Sequence, residues 1–332
     1  MYDASMTANI NDTTESITEG QRGAALGLSA YLIWGCFPLF FKAISSVPAA
    51  EVVAHRIIWS ATFLLLFIAV TGAGKQFVAT LRDRRTLAVL ALTTLLISVN
   101  WFIFISAVIS GNVLESSLGY YINPLVSVFL GFMFLRERLT PRQWVSIVLA
   151  ATGVIIQTVM LGKVPVVSLI LAVTFGLYGL VRKAAKVPAV KGLAVEMILM
   201  SPLMLIYMAH LFISGKAHFL SGNTRIDVLL VLAGLVTSIP LILYGMALNS
   251  MRLSTLGIMQ YIVPTAHFGW AVFAFGEKFT MAHMVSFGFI WAGLVLYTSE
   301  TLGVMKLKPA TQAAGQVSEV QGLGKRKEER IK

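Results

Sequence analysis

Gly119-Tyr-Tyr-Ile-Asn-Pro-Leu-Val-Ser-Val-Phe-Leu-Gly-Phe-Met-Phe-Leu-Arg-Glu-Arg-Leu-Thr-Pro-Arg-Gln-Trp144 holds, in order, an apolar stretch interrupted by one proline, a basic turn and the start of a second apolar stretch. It recurs. Shifted by 140 residues without a gap, Tyr121 falls on Tyr261, Ile122 on Ile262, Pro124 on Pro264, Glu137 on Glu277, Thr140 on Thr280, Ser146 on Ser286 and Gly153 on Gly293. At a shift of 141 the earlier part follows, with Leu28 on Leu169, Gly35 on Gly176, Lys42 on Lys183, Ala43 on Ala184 and Ser60 on Ser201. Two homologous halves, residues 23–161 and 162–300, are implied.

The composition around these segments is that of a bilayer protein. Of 332 residues, 57% are hydrophobic and 12% charged, where an ordinary soluble domain has about a quarter charged. Mean hydropathy is +0.80. A soluble enzyme is excluded, and the absence of a long polar block between Arg22 and Glu300 leaves no room for a separate globular domain. A helix satisfies its own backbone hydrogen bonds in hydrocarbon and needs about 20 apolar residues to cross about 30 Å. Ten stretches meet that need: Gly23 to Phe41, Val52 to Thr71, Thr86 to Val108, Val113 to Leu135, Pro141 to Leu161, Val164 to Val181, Gly192 to Ile213, Val228 to Leu248, Ser254 to Phe275 and Met281 to Tyr297. The expected fold class is therefore an all-α membrane protein. Residues 1–22 read as a disordered tail without the basic start or apolar core of a signal peptide, and residues 301–332 as a basic tail.

Charge sets the direction. Lys and Arg near span ends are retained in the cytoplasm. The even loops carry Lys75, Arg82, Arg84 and Arg85, then Arg136, Arg138 and Arg142, then Arg182, Lys183, Lys186 and Lys191, then Arg252. The odd loops carry only Lys42, Lys163, Lys216 with Arg225, and Lys278. Both termini are expected to be cytoplasmic, in a multi-pass protein of the inner membrane. The net charge of +11 is read as this topology and not as a nucleic-acid partner. Because each half has an odd number of spans, the second copy enters the membrane upside down, and the basic residues differ accordingly in all four pairs of equivalent loops. Inverted repeats of this kind build many secondary transporters.

The quoted segment and its counterpart, Gln260-Tyr-Ile-Val-Pro264 with Gly276-Glu-Lys-Phe-Thr280, resemble the duplicated EamA module of the drug/metabolite transporter superfamily, including its Glu-x-x-Thr signature in both copies. More narrowly, Ala54-His-Arg-Ile-Ile-Trp-Ser60, Leu114-Glu-Ser-Ser-Leu-Gly-Tyr120 and Leu253-Ser-Thr-Leu-Gly-Ile-Met-Gln-Tyr261 resemble the RarD group of bacterial inner-membrane permeases. Ser146 and Ser286 stand where the broader module usually has Gly. The resemblance implies export of a small metabolite, amino acid or drug-like compound by alternating access.

Pro124 and Pro264 fall mid-span, where each removes a backbone donor and frees polar groups at membrane depth. Breaks at matching places in two halves point to a binding site. Tyr120, Tyr121 and Asn123 in one half, and Gln260, Tyr261 and His267 in the other, are therefore expected to line a polar cavity, with Asn100 and Tyr244 at comparable depth. Trp34, Trp101, Tyr178 and Pro240 are further candidates for its walls. Ionisable residues inside spans are functional candidates by default. Arg56 can attract a carboxylate or phosphate, or else snorkel and pair with Glu51; His55 can titrate near neutral pH. Glu196, aligned with His55, can gate or accept a proton, or pair with Lys191. Glu115 reads as a capping-box residue with Asn112 as well as a coupling candidate, and Glu137 and Glu277 as turn architecture beside Thr140 and Thr280.

The single Cys36 excludes an intramolecular disulfide and a Cys-based metal site, and no cofactor is implied. No Walker motif is present, so energy comes from a gradient, with protons a candidate, or from the substrate. A multi-pass membrane enzyme is the first alternative, but the five histidines lack metal-ligand spacing. A channel or scaffold is the second. Substrate identity and oligomeric state are not legible.

Overall fold

Apolar runs of membrane length close their backbone hydrogen bonds internally, and the chain does so throughout as helix. The computed structural model describes the backbone of residues 3–109, 113–161, 166–274, 281 and 284–301, and their side chains apart from 3–18, 105–118, 161 and 271–272. In chain order the elements are α1 (Asp3–Gly35), α2 (Phe37–Ala43), α3 (Ala49–Val70), α4 (Gly74–Arg82), α5 (Arg84–Ile109), α6 (Val113–Phe134), α7 (Pro141–Leu161), α8 (Val166–Ala185), α9 (Ala189–Ile213), α10 (Thr224–Ser250), α11 (Leu253–Met259) and α12 (Ile262–Gly269). A π-helical turn, Trp270–Ala274, follows α12, and α13 spans residues 284–301. Among the described residues there is no β-strand.

Seven helices are long and apolar enough to cross a membrane among the described residues: Glu19–Ala43, Ala49–Val70, Arg84–Phe104, Pro141–Met160, Val166–Ala185, Ala189–Ile213 and Thr224–Ser250. The apolar stretch Gly119–Phe134 of α6 is shorter. The ninth expected span is broken at Gln260 and Tyr261. At the other end of the chain, α1 runs through the polar segment that the sequence reads as a tail. That segment contains no proline to stop a helix. Large apolar side chains, among them Leu66, Phe67, Phe102, Val159, Ile206 and Phe273, face outward around the bundle. A surface so apolar suits lipid rather than water.

The helix pairings repeat across the two halves. α1 packs on α10 as α5 packs on α8, and α3 packs on α10 as α5 packs on α9. Two glycines show how the halves meet. A Cβ on Gly153 in α7 would lie 2.6 Å from the Ser286 carbonyl oxygen of α13, and one on Gly293 in α13 would lie 2.6 Å from the Ser146 carbonyl oxygen of α7. The contact is reciprocal, as at a two-fold axis. It also joins the start of each helix to the end of the other, so α7 and α13 run antiparallel. Gln143 at the start of α7 accordingly reaches Thr301 at the end of α13, Nε2 to Oγ1 3.5 Å. In α6 the order is the same: Tyr121 donates to the Pro264 carbonyl at 3.4 Å, Ser127 meets Gly257 and Gly131 meets Ser254.

Small residues let two backbones approach closely where hydrocarbon gives no hydrophobic drive between helices. Gly153→Val or Gly293→Val is therefore expected to lower stability by about 1–3 kcal/mol through overpacking, read as the thermal midpoint of the purified protein in detergent. Gly288→Ala in α13, where nothing lies within 4 Å of the added Cβ, is the control expected to leave the midpoint unchanged.

Candidate substrate site

α3 enters the bundle with Glu51, His55 and Arg56 in its first two turns, all buried. The sequence offers Arg56 a partner in Glu51, and the structure directs Glu51 elsewhere. Its Oε1 accepts from the backbone N–H groups of His218 (2.7 Å) and Phe219 (3.2 Å), and its Oε2 lies 2.8 Å from His218 Nδ1. Glu51 thus pins the α9–α10 loop over the start of α3. Arg56, 5% exposed, donates from Nε to Thr237 Oγ1 at 2.8 Å. The rest of its guanidinium lies over rings, 4.9 Å from the centroid of Trp101, 5.5 Å from Phe41 and 6.0 Å from Phe37. His55 accepts at Nδ1 from Trp59 Nε1 at 3.2 Å, which puts its own proton on Nε2, and that buried nitrogen has no hydrogen-bond partner.

Beyond this cage, Trp101 shares one apolar cluster with Trp34, Tyr120, Phe175, Tyr178 and Tyr244. Tyr120 is within electrostatic reach of Arg56 and stacks edge-on with Phe104 and with His267, both at 5.6 Å between centroids. His267 donates from Nε2 to the Trp34 carbonyl at 3.0 Å. Trp34 in turn touches Tyr31, Phe175 and Tyr244, and Phe175 touches Tyr178. Pro124 supplies no N–H to the carbonyl four residues back, which belongs to Tyr120. Tyr120, His267, Trp34 and Phe37 are only partly covered.

The ring column ends on a second charged cluster. Glu196, fully buried, accepts from Thr93 Oγ1 at 2.6 Å and from the Tyr178 hydroxyl at 3.3 Å. Arg182 Nη1 lies 3.7 Å from its Oε1, while Nη2 donates to the Ala189 carbonyl at 3.3 Å. The guanidinium lies where a side chain at 192 would be, since a Cβ on Gly192 would fall 1.8 Å from Nη1. Lys191, the sequence's candidate partner for Glu196, donates instead to Gln76.

Polar ties close this end of the bundle, those of Glu137 and Arg252 across the halves and that of Lys183 within the second. α6 ends in a turn that puts Arg136 at φ 54° and bonds Glu137 N–H back to the Gly131 carbonyl, six residues earlier, which satisfies one of the carbonyls a helix end leaves open. Glu137 is thereby aimed at the start of α11, where its carboxylate accepts from Leu253 N–H (2.7 Å), Ser254 N–H (2.9 Å) and Ser254 Oγ (2.5 Å). Lys183 donates to the carbonyls of Leu248 and Met251 at the end of α10, and Arg252 donates to the Arg138 carbonyl at 3.1 Å. Acid at a helix start and base at a helix end each answer the orphan backbone groups there.

The comparisons decide the family. The EamA-like transporter family model matches the chain twice, over residues 21–159 and 163–299. The chain belongs to the EamA-like transporter family. Within it the relatives are of the RarD type: Protein RarD of Salmonella typhi is 40% identical over 288 residues, 87% of this chain and 98% of that one. A Vibrio cholerae protein named an uncharacterized transporter is 40% identical over 284 residues, covering 86% and 94%. One solved crystal structure matches with TM-score 0.64 over 83% of this chain and 96% of that chain, at 18% identity, a likeness of fold alone. Membership in the EamA-like family makes the chain a secondary transporter of small molecules and not an enzyme. Among the described residues no group of His, Cys, Asp and Glu is placed to hold a metal ion.

Of the residues singled out from sequence, the EamA fold brings Tyr120, His267 and Arg56 to one place. Tyr121, Asn123, Gln260 and Tyr261 gather at a different one, the α6–α11 seam, all buried; Asn123 Oδ1 and the Tyr261 hydroxyl have no hydrogen-bond partner there. Asn100 clamps α5 to α8 through the Leu171 carbonyl and Thr174 Oγ1, both 2.9 Å. Tyr244 lies in the ring column. Pro264 accompanies a helix break, whereas Pro124 sits within an unbroken α6. The side chain of Glu115, and Glu277, lie outside the described residues.

Removing one member of a buried ion pair strands the other. Arg182→Gln is expected to destabilise the protein by about 3 kcal/mol or more, and Arg182→Gln with Glu196→Gln together by less than Arg182→Gln alone. Thermal unfolding of the four proteins of this cycle in detergent measures it; additive effects would contradict the pairing.

Proposed function

We propose that the chain is a ten-span secondary carrier in which two inverted five-helix repeats, residues 23–161 and 162–300, exchange conformations around a chamber bounded by Arg56, Tyr120 and His267. The observation that carries this reading is the reciprocal antiparallel crossing of α7 and α13, in which each repeat presents the same glycine to the same carbonyl of the other. A repeat unit that pairs with its own copy in the opposite sense is the construction from which inward-open and outward-open states arise by exchange of the two halves. The double match of the family model supports the repeat boundaries.

The distribution of charge supports cytoplasmic termini and an inner-membrane location, since the ends joined by Glu137, Lys183 and Arg252 carry most of the loop cations. That end is tied and its aromatic residues, Tyr178, Tyr244 and Tyr31, are buried, while Tyr120, Trp34 and His267 are partly open. The conformation is on this reading outward-facing. The substrate is a small metabolite, amino acid or drug-like compound, and His55 and Glu196 are the groups on which proton coupling would rest.

Metabolite profiling of cells lacking and overproducing the protein selects solutes for reconstituted proteoliposomes. Saturable uptake with counterflow is expected; flux that rises linearly with concentration and shows no counterflow would mean a pore. Tyr120→Ala and His267→Ala are expected to lower transport about tenfold, the loss of one contact of about 1.4 kcal/mol, with the thermal midpoint kept. Glu137→Gln is expected mainly to lower the yield of folded protein.

A further inference from the structure

Among the described residues two guanidiniums are buried, Arg56 and Arg182, and they are compensated differently. Arg182 has Glu196 beside it at 3.7 Å. Arg56 has a single hydroxyl, Thr237, and three aromatic faces. Among the described residues no carboxylate pairs with it. The acid one turn before it is spent on His218 and Phe219, and Glu196 is held at the far end of the ring column by Thr93, Tyr178 and Arg182. The terminal nitrogens of Arg56 donate no hydrogen bond to a described residue, although Nε is fixed and the rings hold the plane of the group.

A buried cation without a counter-charge is costly, and more so at membrane depth. Such a residue is retained when its anion arrives with a ligand. We propose that the substrate is an organic monoanion whose carboxylate docks on the free fork of Arg56, with an apolar, preferably aromatic, body lying along Tyr120, His267 and Trp34. A planar guanidinium fixed at Nε and flanked by rings presents two parallel donors, the match for a carboxylate. The same chamber offers no described acid to an ammonium group, so a zwitterionic amino acid fits it less well than the corresponding acid lacking the amine. The proposal rests on the chamber reading above and adds the charge of what enters it.

The test uses the full-length protein in detergent and phenylacetate, 2-phenylethanol and phenylalanine as probes, each at about 10 mM, enough to load a site of millimolar Kd. Phenylacetate is expected to raise the thermal midpoint and to bind at least about tenfold more tightly than 2-phenylethanol or phenylalanine, because a charge-assisted hydrogen bond to Arg56 is lost in the first and an uncompensated ammonium is buried with the second. Arg56→Met, which removes the unpaired charge at similar volume, is expected to leave the ligand-free midpoint no lower than that of the wild type and to abolish the phenylacetate shift. Arg56→Lys keeps the charge without the fork and is expected to retain a smaller shift. Equal binding of phenylacetate and 2-phenylethanol, no binding of phenylacetate, or an undiminished shift in Arg56→Met would each overturn the proposal. If Arg56→Met does not fold, the ranking of the three probes on the wild type decides. Anion binding without counterflow in proteoliposomes would overturn the carrier reading and leave the anion site standing; counterflow that is indifferent to the anion would do the reverse.

Discussion

Hydrocarbon solvates neither a backbone carbonyl nor a charge, so every polar group carried to membrane depth must be answered inside the protein. That constraint explains most of what is specific in this bundle. It makes Glu137 reach across to the start of α11, Lys183 to the end of α10, and Glu51 to two N–H groups of the facing loop. It draws Thr93, Tyr178 and Arg182 around Glu196. Among the described residues several buried polar atoms have no hydrogen-bond partner, His55 Nε2, Asn123 Oδ1, Arg182 Nη1 and the Tyr261 hydroxyl among them, and Arg56 has no carboxylate beside it.

The two repeats share a plan without being copies. Tyr121 donates to the Pro264 carbonyl, while its counterpart, the Tyr261 hydroxyl, is buried without a partner. α6 is continuous through Pro124, whereas the helix around Pro264 breaks at Gln260 and Tyr261. Glu196 has an arginine beside it, and His55, at the matching place, has Trp59 and Phe219. The first two differences leave the second repeat the looser one, and the third leaves the first repeat looser.

Much of the architecture was legible because its physics is local. Span length marked the helices, and the fifth expected span, read as starting at Pro141, begins at that residue in α7, while the seventh, expected from Gly192, begins three residues earlier at Ala189. The chamber was less legible. Adjacent residues on a helix point about 100° apart, so Tyr120 meets Phe104 and His267 while Tyr121 meets Phe287 and the Pro264 carbonyl. Residues that the repeat preserves, Tyr121 with Tyr261 and Gly153 with Gly293, sit where the halves meet. Residues that it does not preserve, Arg56 against Met197 and Tyr120 against Gln260, border the chamber proposed above. A substrate has no two-fold symmetry, and departure from the repeat was the available signal. The reach of Glu51 to His218 crosses 167 positions, and no sequence spacing announces it.

The central claim, that the two repeats lie in the bilayer in opposite senses, is tested most directly at equivalent loop positions. Thr80, in α4, and Ser221, which follows α9, are related by the 141-residue shift; Thr80 is partly exposed and Ser221 exposed. With Cys36→Ala as background, Thr80→Cys and Ser221→Cys are introduced singly and intact cells are treated with a membrane-impermeant maleimide. The account predicts that position 221 reacts from outside and position 80 only after permeabilisation. Reaction of both from the same compartment would contradict it.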